Sequence, residues 1–115
     1  MTEPLNERHC IRVEKGSASL ATDSARALLA QLHADWAFEA GDAAIRREFR
    51  FHNFHETMAF VNALAWIAHR EDHHPDLDVG YNRCTVHYST HAAAGLTEND
   101  FICAAKIDAL LTQAD

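Results

Sequence analysis

The sequence has little of what marks membrane, secreted or nucleic-acid-binding proteins. None of its apolar runs approaches the ~20 residues needed to cross a bilayer, and the polar N-terminus lacks the apolar segment of a signal peptide. Basic residues are outnumbered, 10 against 17 acidic ones, and the formal net charge is −7. That charge disfavours direct binding to nucleic acid, which relies on basic patches. These features predict a cytoplasmic protein without a membrane anchor.

Cysteine, glycine and proline are scarce as well. Cys10, Cys84 and Cys103 are an odd count at wide spacings without a C-x-x-C pair, which predicts reduced thiols rather than a disulfide framework or a zinc site. The sequence has only 4 glycines and 2 prolines. Its length of 115 residues fits one domain with a modest core. We expect residues 1–19, which are polar and patternless, to be a loose arm, and residues 20–115 to form the single domain.

Three segments carry signals of helices. Residues 23–33 place apolar side chains at helical spacing. Asn53, with Glu56 three positions later, resembles a capping box and predicts the start of a second helix that runs to about residue 70. Thr97 is expected to cap a third helix near the end of the chain.

Four short strands are predicted between these helices. A short strand near residues 36–38 precedes a turn, and residues 44–52 alternate apolar with charged side chains, as in a half-buried strand. Residues 77–80 and 83–90 are expected to form a hairpin. The order α-β-β-α-β-β-α predicts an α+β fold, a four-stranded, mainly antiparallel sheet with three helices on one face.

The group most informative about chemistry is His73-His74-Pro75, followed by His91 and Asp100. Pro75 fixes its own φ angle and favours extended backbone at His74, so this segment is not the interior of a helix. Histidine is the side chain whose ordinary pKa lies in the physiological range. Three histidines at one site would therefore suit proton transfer near neutral pH.

Metal binding and nucleophilic catalysis are less favoured interpretations. Adjacent histidines in extended backbone point to opposite sides, so His73 and His74 are badly placed to share one ion. The sequence contains no H-E-x-x-H, no G-x-S-x-G and no glycine-rich phosphate loop. Five further histidines are expected to be solvated or locally hydrogen-bonded: His9, His33, His52, His55 and His87.

Two of the candidate residues have a plainer explanation when each is taken alone. Asp100 stands three positions after Thr97, where a carboxylate completes a capping box and favours the positive end of the helix dipole. Trp36 would ordinarily be a core or edge aromatic rather than a stacking platform for a flat ligand.

Motifs spread over the second half of the chain resemble one known family, the pterin-4a-carbinolamine dehydratases. The residues that carry the resemblance are His73-His74-Pro75, Tyr81-Asn82, Thr85, Ser89-Thr90-His91, Gly95-Leu96-Thr97 and Asp100. H-H-P alone is a weak signal. H-H-P followed by S-T-H, with His91 standing 17 positions after His74, and then by G-L-T-x-x-D is specific. Similarity to the family's W…G…F pattern at Trp36, Gly41 and Phe51 extends the resemblance to about residues 20–112.

The resemblance implies a lyase that removes water from 4a-hydroxytetrahydropterin. That carbinolamine is left when an aromatic amino-acid hydroxylase has used its tetrahydropterin, and the product is quinonoid dihydropterin. The implied acid–base pair is His73 and His91, and His74 would bind and orient the substrate. The implied reaction requires no metal, nucleophile or redox cofactor.

The resemblance further implies the rest of the substrate site. Asp100 would orient a histidine, Trp36 would lie by the pterin ring, and Pro75 and Thr90 would contribute to binding. Three positions depart from the family's pattern and are expected near the rim of the pocket: His69 in place of a common Glu, Leu77 in place of an aromatic, and Asn99 in place of a frequent Arg. They bear on affinity and turnover more than on the type of reaction.

The rival hypothesis is a non-catalytic dimeric adaptor, or coactivator-type binding module, on the same fold. Retention of the three histidines favours catalysis. A pterin-binding regulator without turnover is a third interpretation. In each case we expect a symmetric homo-oligomer, a dimer or a tetramer, because exposed sheet edges are commonly covered or paired.

Overall fold

The computed structural model describes residues 3–112, with the backbone alone at Thr112. In chain order the main elements are α1 (Thr22–Leu29), β1 (Ala37–Glu39), β2 (Ala44–Arg50), α2 (Phe54–Glu71), β3 (Asp76–Val79), β4 (Arg83–Tyr88) and α3 (Glu98–Thr112). Two single-turn 3-10 helices, Leu5–Glu7 and His91–Ala93, accompany them. This order confirms the predicted α-β-β-α-β-β-α arrangement. No helix within residues 3–112 is both long and apolar enough to span a membrane.

The four strands form one antiparallel sheet in the order β1-β2-β4-β3. Alternate residues of the central strands face the core, and the register pairs Ile45 with Tyr88 and Phe49 with Cys84. All four of these side chains are buried, and they share a core cluster with residues of α1, α2 and α3. The helices therefore cover one face of the sheet, as predicted for an α+β fold.

Helix α1 ends at Leu29, four residues earlier than the sequence pattern predicts. The backbone N–H groups of Gln31 and Leu32 reach carbonyls only three residues back, which tightens the last turn. The N–H of His33 then donates to the Asp108 carboxylate on α3 at 3.2 Å. This contact with α3 thus replaces the next hydrogen bond within α1. The spacing of apolar residues along the sequence could not reveal such a contact.

The predicted start of α2 is confirmed. The Asn53 side-chain oxygen accepts a hydrogen bond from the Glu56 N–H at 2.9 Å. The Glu56 carboxylate accepts from the N–H of His52 at 2.9 Å, one residue earlier than in a standard capping box.

The N-terminal segment, residues 3–19, packs on the domain at several points, although the sequence predicts a loose arm. Leu5 is only 5% exposed and belongs to the core cluster. The N–H of Gly16 donates to the carbonyl of Ala92 at 2.8 Å. The segment thereby reaches the loop that follows β4 and forms part of the wall of a cavity there.

Candidate active site

The end of α2 fixes the position of His73. Asp72 adopts the left-handed conformation (φ 52°), and the N–H of His73 donates to the carbonyl of Ala68 at 3.1 Å. This is the Schellman pattern that ends many helices. The Tyr88 hydroxyl donates to the His73 carbonyl at 3.2 Å, and the two rings stack at 5.2 Å. Backbone and ring are both held before the chain turns at Pro75.

His73 is hydrogen-bonded to Asp100. Its Nε2 lies 2.6 Å from Oδ1 of Asp100, and Asp100 is fully buried. The other oxygen, Oδ2, accepts from the Thr90 hydroxyl at 2.8 Å and from the Thr97 N–H at 2.9 Å. Because Oδ2 already accepts two hydrogen bonds, we assign the proton between His73 and Oδ1 to Nε2 of His73.

The pKa of His73 reflects two opposing effects. Burial lowers it, but the hydrogen bond and the negative charge of Asp100 outweigh burial and raise the pKa of His73 above its ordinary value. The imidazolium form of His73 is therefore more stable, relative to its neutral form, than that of an ordinary histidine. A histidine in this state is suited to donate a proton.

A cavity of about 410 Å³ opens at this histidine. Its lining includes His73, His74, Pro75, Ser89, Thr90, His91 and Asn99, together with Ile11, Arg12 and Val13 of the N-terminal segment. His74 and His91 are exposed to solvent. The structure thus brings the three predicted histidines, Pro75 and Thr90 to one cavity, with Asp100 buried behind it.

Two larger cavities lie elsewhere in the described part of the chain. One of about 580 Å³ contains Arg47 and Asp108, which are paired with each other at 2.7 Å. One of about 720 Å³ is largely apolar and includes Phe51, Phe60 and Leu110. Size alone would favour these cavities. Of the three, the histidine cavity is the better candidate because it combines three histidines with a fully buried carboxylate, Asp100, that is bound to one of them.

Asp100 both caps helix α3 and binds His73, so the two interpretations drawn from the sequence are compatible. Its Oδ2 closes the first turn of α3 through the Thr97 N–H, as a capping carboxylate does. Its Oδ1 binds His73 at the same time. Capping and histidine orientation are therefore performed by one side chain.

Trp36 does not line this cavity. It is 3% exposed, packs edge-to-face on Phe49 at 6.2 Å, and donates its indole N–H to the Asp108 carboxylate at 2.8 and 3.0 Å. Asp108 stands eight positions, about 12 Å along α3, from Asp100. Within this chain Trp36 is a core aromatic with a satisfied N–H, so the expected position beside a ligand in the histidine cavity needs correction.

Of the three departures from the family's pattern, only Asn99 lines the cavity. Its side-chain oxygen accepts from the N–H of Ile11 at 3.0 Å, and its side-chain nitrogen donates to the carbonyl of Ile11 at 2.7 Å. His69 lies against Trp66 on α2, and Leu77 pairs with Val86 in the sheet. Sequence reasoning missed the contribution of residues 11–13, which belong to no motif in the sequence.

Four of the other histidines have local carboxylate neighbours, as expected. His9 is 2.9 Å from Glu71, His52 is 3.1 Å from Glu56, and His33 is 3.7 Å from Asp35. His87 bonds to Glu39 and Asp78 on the sheet face away from the helices. His55 is exposed. None of the five lines the histidine cavity.

Comparison with known sequences agrees with the motifs. The family model described as Pterin 4 alpha carbinolamine dehydratase matches residues 18–110. A curated protein of Legionella pneumophila (strain Corby), named "Putative pterin-4-alpha-carbinolamine dehydratase", is 56% identical over 111 residues, covering 96% of this chain and 98% of its own length. A protein of the same name from Nitrosomonas eutropha is 54% identical over 107 residues, or 93% of each chain.

Solved structures match as well. A crystal structure described as a transcriptional coactivator/pterin dehydratase from Brucella melitensis has a TM-score of 0.76 at 34% identity, covering 80% of this chain and 97% of its own. A pterin dehydratase-like protein identified as a RuBisCO assembly factor in the alpha-carboxysome shares the fold, with a TM-score of 0.59 at 24% identity over 68% of this chain and 90% of its own. From these matches and the sequence motifs together, the chain belongs to the pterin 4 alpha carbinolamine dehydratase family.

Proposed function

We propose that this protein dehydrates 4a-hydroxytetrahydropterin to quinonoid dihydropterin and water, and so returns the pterin of an aromatic amino-acid hydroxylase for reduction. The observation that carries the proposal is the His73–Asp100 hydrogen bond of 2.6 Å at a cavity that His74 and His91 also line. Membership of the family supports the same reaction.

The reaction needs one acid and one base. The bond between C4a and its hydroxyl oxygen breaks, the oxygen takes up a proton, and water leaves. A proton departs from a ring nitrogen, and the electrons of that N–H bond form the new carbon–nitrogen double bond. No electrons enter or leave the pterin, so two positioned histidines can supply the whole proton balance.

His73 is assigned as the acid. Its Nε2 is bound to Asp100, which leaves Nδ1 as the ring nitrogen that can serve the substrate. The raised pKa of His73 favours its protonated form, which is the form that an acid needs. When His73 gives up that proton to the leaving hydroxyl, Asp100 keeps the ring in place through the Nε2–H bond.

His91 is assigned as the base. It begins the 3-10 turn His91–Ala93, and a pair of backbone hydrogen bonds between Thr90 and Gly95 closes the loop beneath it. The exposed position of His91 allows a proton taken from the pterin ring to pass on to water. His74, restrained by Pro75, is assigned to binding and orienting the substrate.

The adaptor hypothesis has one observation in its favour. Phe54, Trp66 and Tyr81 expose 50%, 61% and 65% of their surface, which is unusual for large aromatic side chains. The description of the Brucella protein joins coactivator and dehydratase, so the two roles are compatible on one fold. Only a measurement of turnover discriminates a catalyst from a purely adaptor protein.

The test is a direct dehydration assay on chemically generated carbinolamine. The uncatalysed rate is measured in parallel and subtracted, because the carbinolamine also loses water without enzyme. We expect a rate proportional to protein concentration and well above this background. A rate equal to the background with folded protein would reject the proposal and favour the adaptor.

A further inference from the structure

Two of the three cysteines meet beside the cavity, although 93 positions separate them in the sequence. Cys10, in the N-terminal segment, is half-buried, and Cys103, on α3, is fully buried. Their sulfur atoms are 3.5 Å apart. Cys84 is buried in β4, where it pairs with Phe49 across the sheet, and it is not part of this contact.

We propose that Cys10 and Cys103 are a redox-active thiol pair, which an oxidant of the peroxide class converts into a disulfide that ties the N-terminal segment to α3. The proposal does not depend on the dehydration reaction. It assigns a modification site to residues that the proposed mechanism leaves unused.

The two sulfurs are close enough to form a disulfide after a small movement. An S–S bond is about 2.05 Å long, so the two sulfurs need to approach by roughly 1.5 Å. Cys10 lies in irregular backbone, which restricts such a movement less than the helix that carries Cys103. Contacts on both sides keep the thiols opposed: the Cys10 N–H donates to Glu71 at 2.7 Å, and Asn99 makes its two hydrogen bonds to Ile11.

The protonation states suit a division of roles between the two sulfurs. The hydrogen bond from Cys10 lowers the pKa of Cys103, burial opposes this, and the Tyr88 hydroxyl adds to the lowering. The same pairing, together with burial, raises the pKa of Cys10. Cys103 is therefore the more acidic thiol of the pair, and Cys10 is the less buried one.

The oxidation balances in two steps. Cys10 attacks a peroxide oxygen, the O–O bond breaks, and Cys10 becomes a sulfenic acid as one water leaves. Cys103 loses its proton and attacks the sulfenic sulfur, the S–S bond forms, and the sulfenic hydroxyl takes up a proton and leaves as the second water. The two thiols lose two electrons and two protons, and the peroxide is reduced. The raised pKa of Cys10 predicts that the first step is slow.

The disulfide would act on one wall of the cavity. Ile11, Arg12 and Val13 follow Cys10 directly and line the cavity. Cys103 lies below the histidine, with its sulfur 4.0 Å from the His73 carbonyl oxygen. The bond would close a long loop and fix this wall against α3, which reduces the freedom of the unfolded chain and stabilises the fold. In a reducing compartment such a bond is transient rather than structural.

The experiment treats the full chain with hydrogen peroxide, alkylates the remaining thiols, and maps the peptides by mass spectrometry. We expect the Cys10 and Cys103 peptides to be joined and Cys84 to be alkylated. Thermal unfolding should shift upward by on the order of 10 °C, and dithiothreitol should reverse the shift. Cys10→Ser, at a half-buried position, should abolish the cross-link and the shift, whereas Cys84→Ala should keep both.

Three results would overturn the proposal. The first is alkylation of both Cys10 and Cys103 after peroxide treatment. The second is over-oxidation of Cys10 without a cross-link. The third is an upward thermal shift that persists in Cys10→Ser. All readouts are taken without pterin, so failure here leaves the proposed dehydration untouched.

Discussion

At the scale of single residues, Asp100 divides its two oxygens between structure and chemistry. Oδ1 binds His73, and Oδ2 holds the Thr90 hydroxyl and the Thr97 N–H at the start of α3. A carboxylate in this position raises the pKa of His73 against the effect of burial. An amide has nearly the same shape without the charge, so Asp100→Asn separates the electrostatic role from the packing role.

We predict that Asp100→Asn moves the alkaline limb of the pH–rate profile to lower pH. His73 is the proton donor, so the rate falls as pH rises through its pKa. Without the carboxylate, His73 loses the hydrogen bond and the charge that are the main causes of the raised pKa, so burial, which lowers the pKa, is opposed only by the charges of Cys103 and Asp72. The raised pKa also stabilises the fold at pH below the ordinary histidine value of about 6.5, and this contribution is lost as pH rises through the folded-state pKa of His73. The Asp100→Asn variant should lack this contribution to stability.

The measurement is kcat/KM and the free energy of unfolding across pH for both proteins. Asp78→Asn is the matched control, because Asp78 binds Nε2 of His87 at 2.9 Å on the other face of the sheet. Its pH–rate profile should match that of the unaltered protein. An unchanged alkaline limb in Asp100→Asn would contradict the assignment of His73 as the acid.

At the scale of elements, local patterns predict most of what the structure shows. The alternation in β2 and the Asn53 cap of α2 need only neighbouring residues, and both are confirmed. The end of α1 is different, because the His33 N–H donates to Asp108 on α3. The Trp36 side chain is held in the core by a hydrogen bond to the same carboxylate. A periodicity over ten residues carries no information about such a partner.

We predict that Asp108→Ala destabilises the fold by about 3–5 kcal/mol, the usual cost of leaving a buried charge unpaired. The Arg47 side chain is 11% exposed, and its Nε is already buried without a hydrogen-bond partner in the described part of the chain. Asp108 supplies its ion pair at 2.7 Å and also accepts the Trp36 N–H. Urea unfolding would measure the loss.

Asp42→Ala, at an exposed turn position, is the control and should change stability by no more than ~0.5 kcal/mol. If Asp108→Ala matched the control, the view that this carboxylate joins the segment before β1 to β2 and α3 would be wrong.

At the scale of the whole molecule, the contacts that sequence reasoning missed join distant parts of the chain. Cys10 meets Cys103, and Ile11 is bound by Asn99, across 93 and 88 positions. The spacing of H-H-P and S-T-H predicted the histidines of the cavity because those residues belong to a recognisable motif. Residues 11–13 belong to no motif, and only the folded chain brings them to the cavity wall.

We propose that the protein is a symmetric homo-oligomer, most simply a dimer. The outer strands of the sheet, β1 and β3, are three and four residues long, and within residues 3–112 each pairs with only one other strand. Such edges are commonly covered or paired. Light scattering at micromolar concentration should give the mass of a dimer or a tetramer. The mass of a single chain would remove this expectation.

The most direct test of the central claim is the dehydration rate of single histidine variants on chemically generated carbinolamine, corrected for the uncatalysed reaction. His73→Ala and His91→Ala should each lower kcat by ~10²–10⁴-fold, the usual contribution of a positioned acid or base. His74→Ala should mainly raise KM. His52→Ala, at an exposed position, should retain the activity of the unaltered protein. Near-full kcat in folded His73→Ala and His91→Ala would contradict the account.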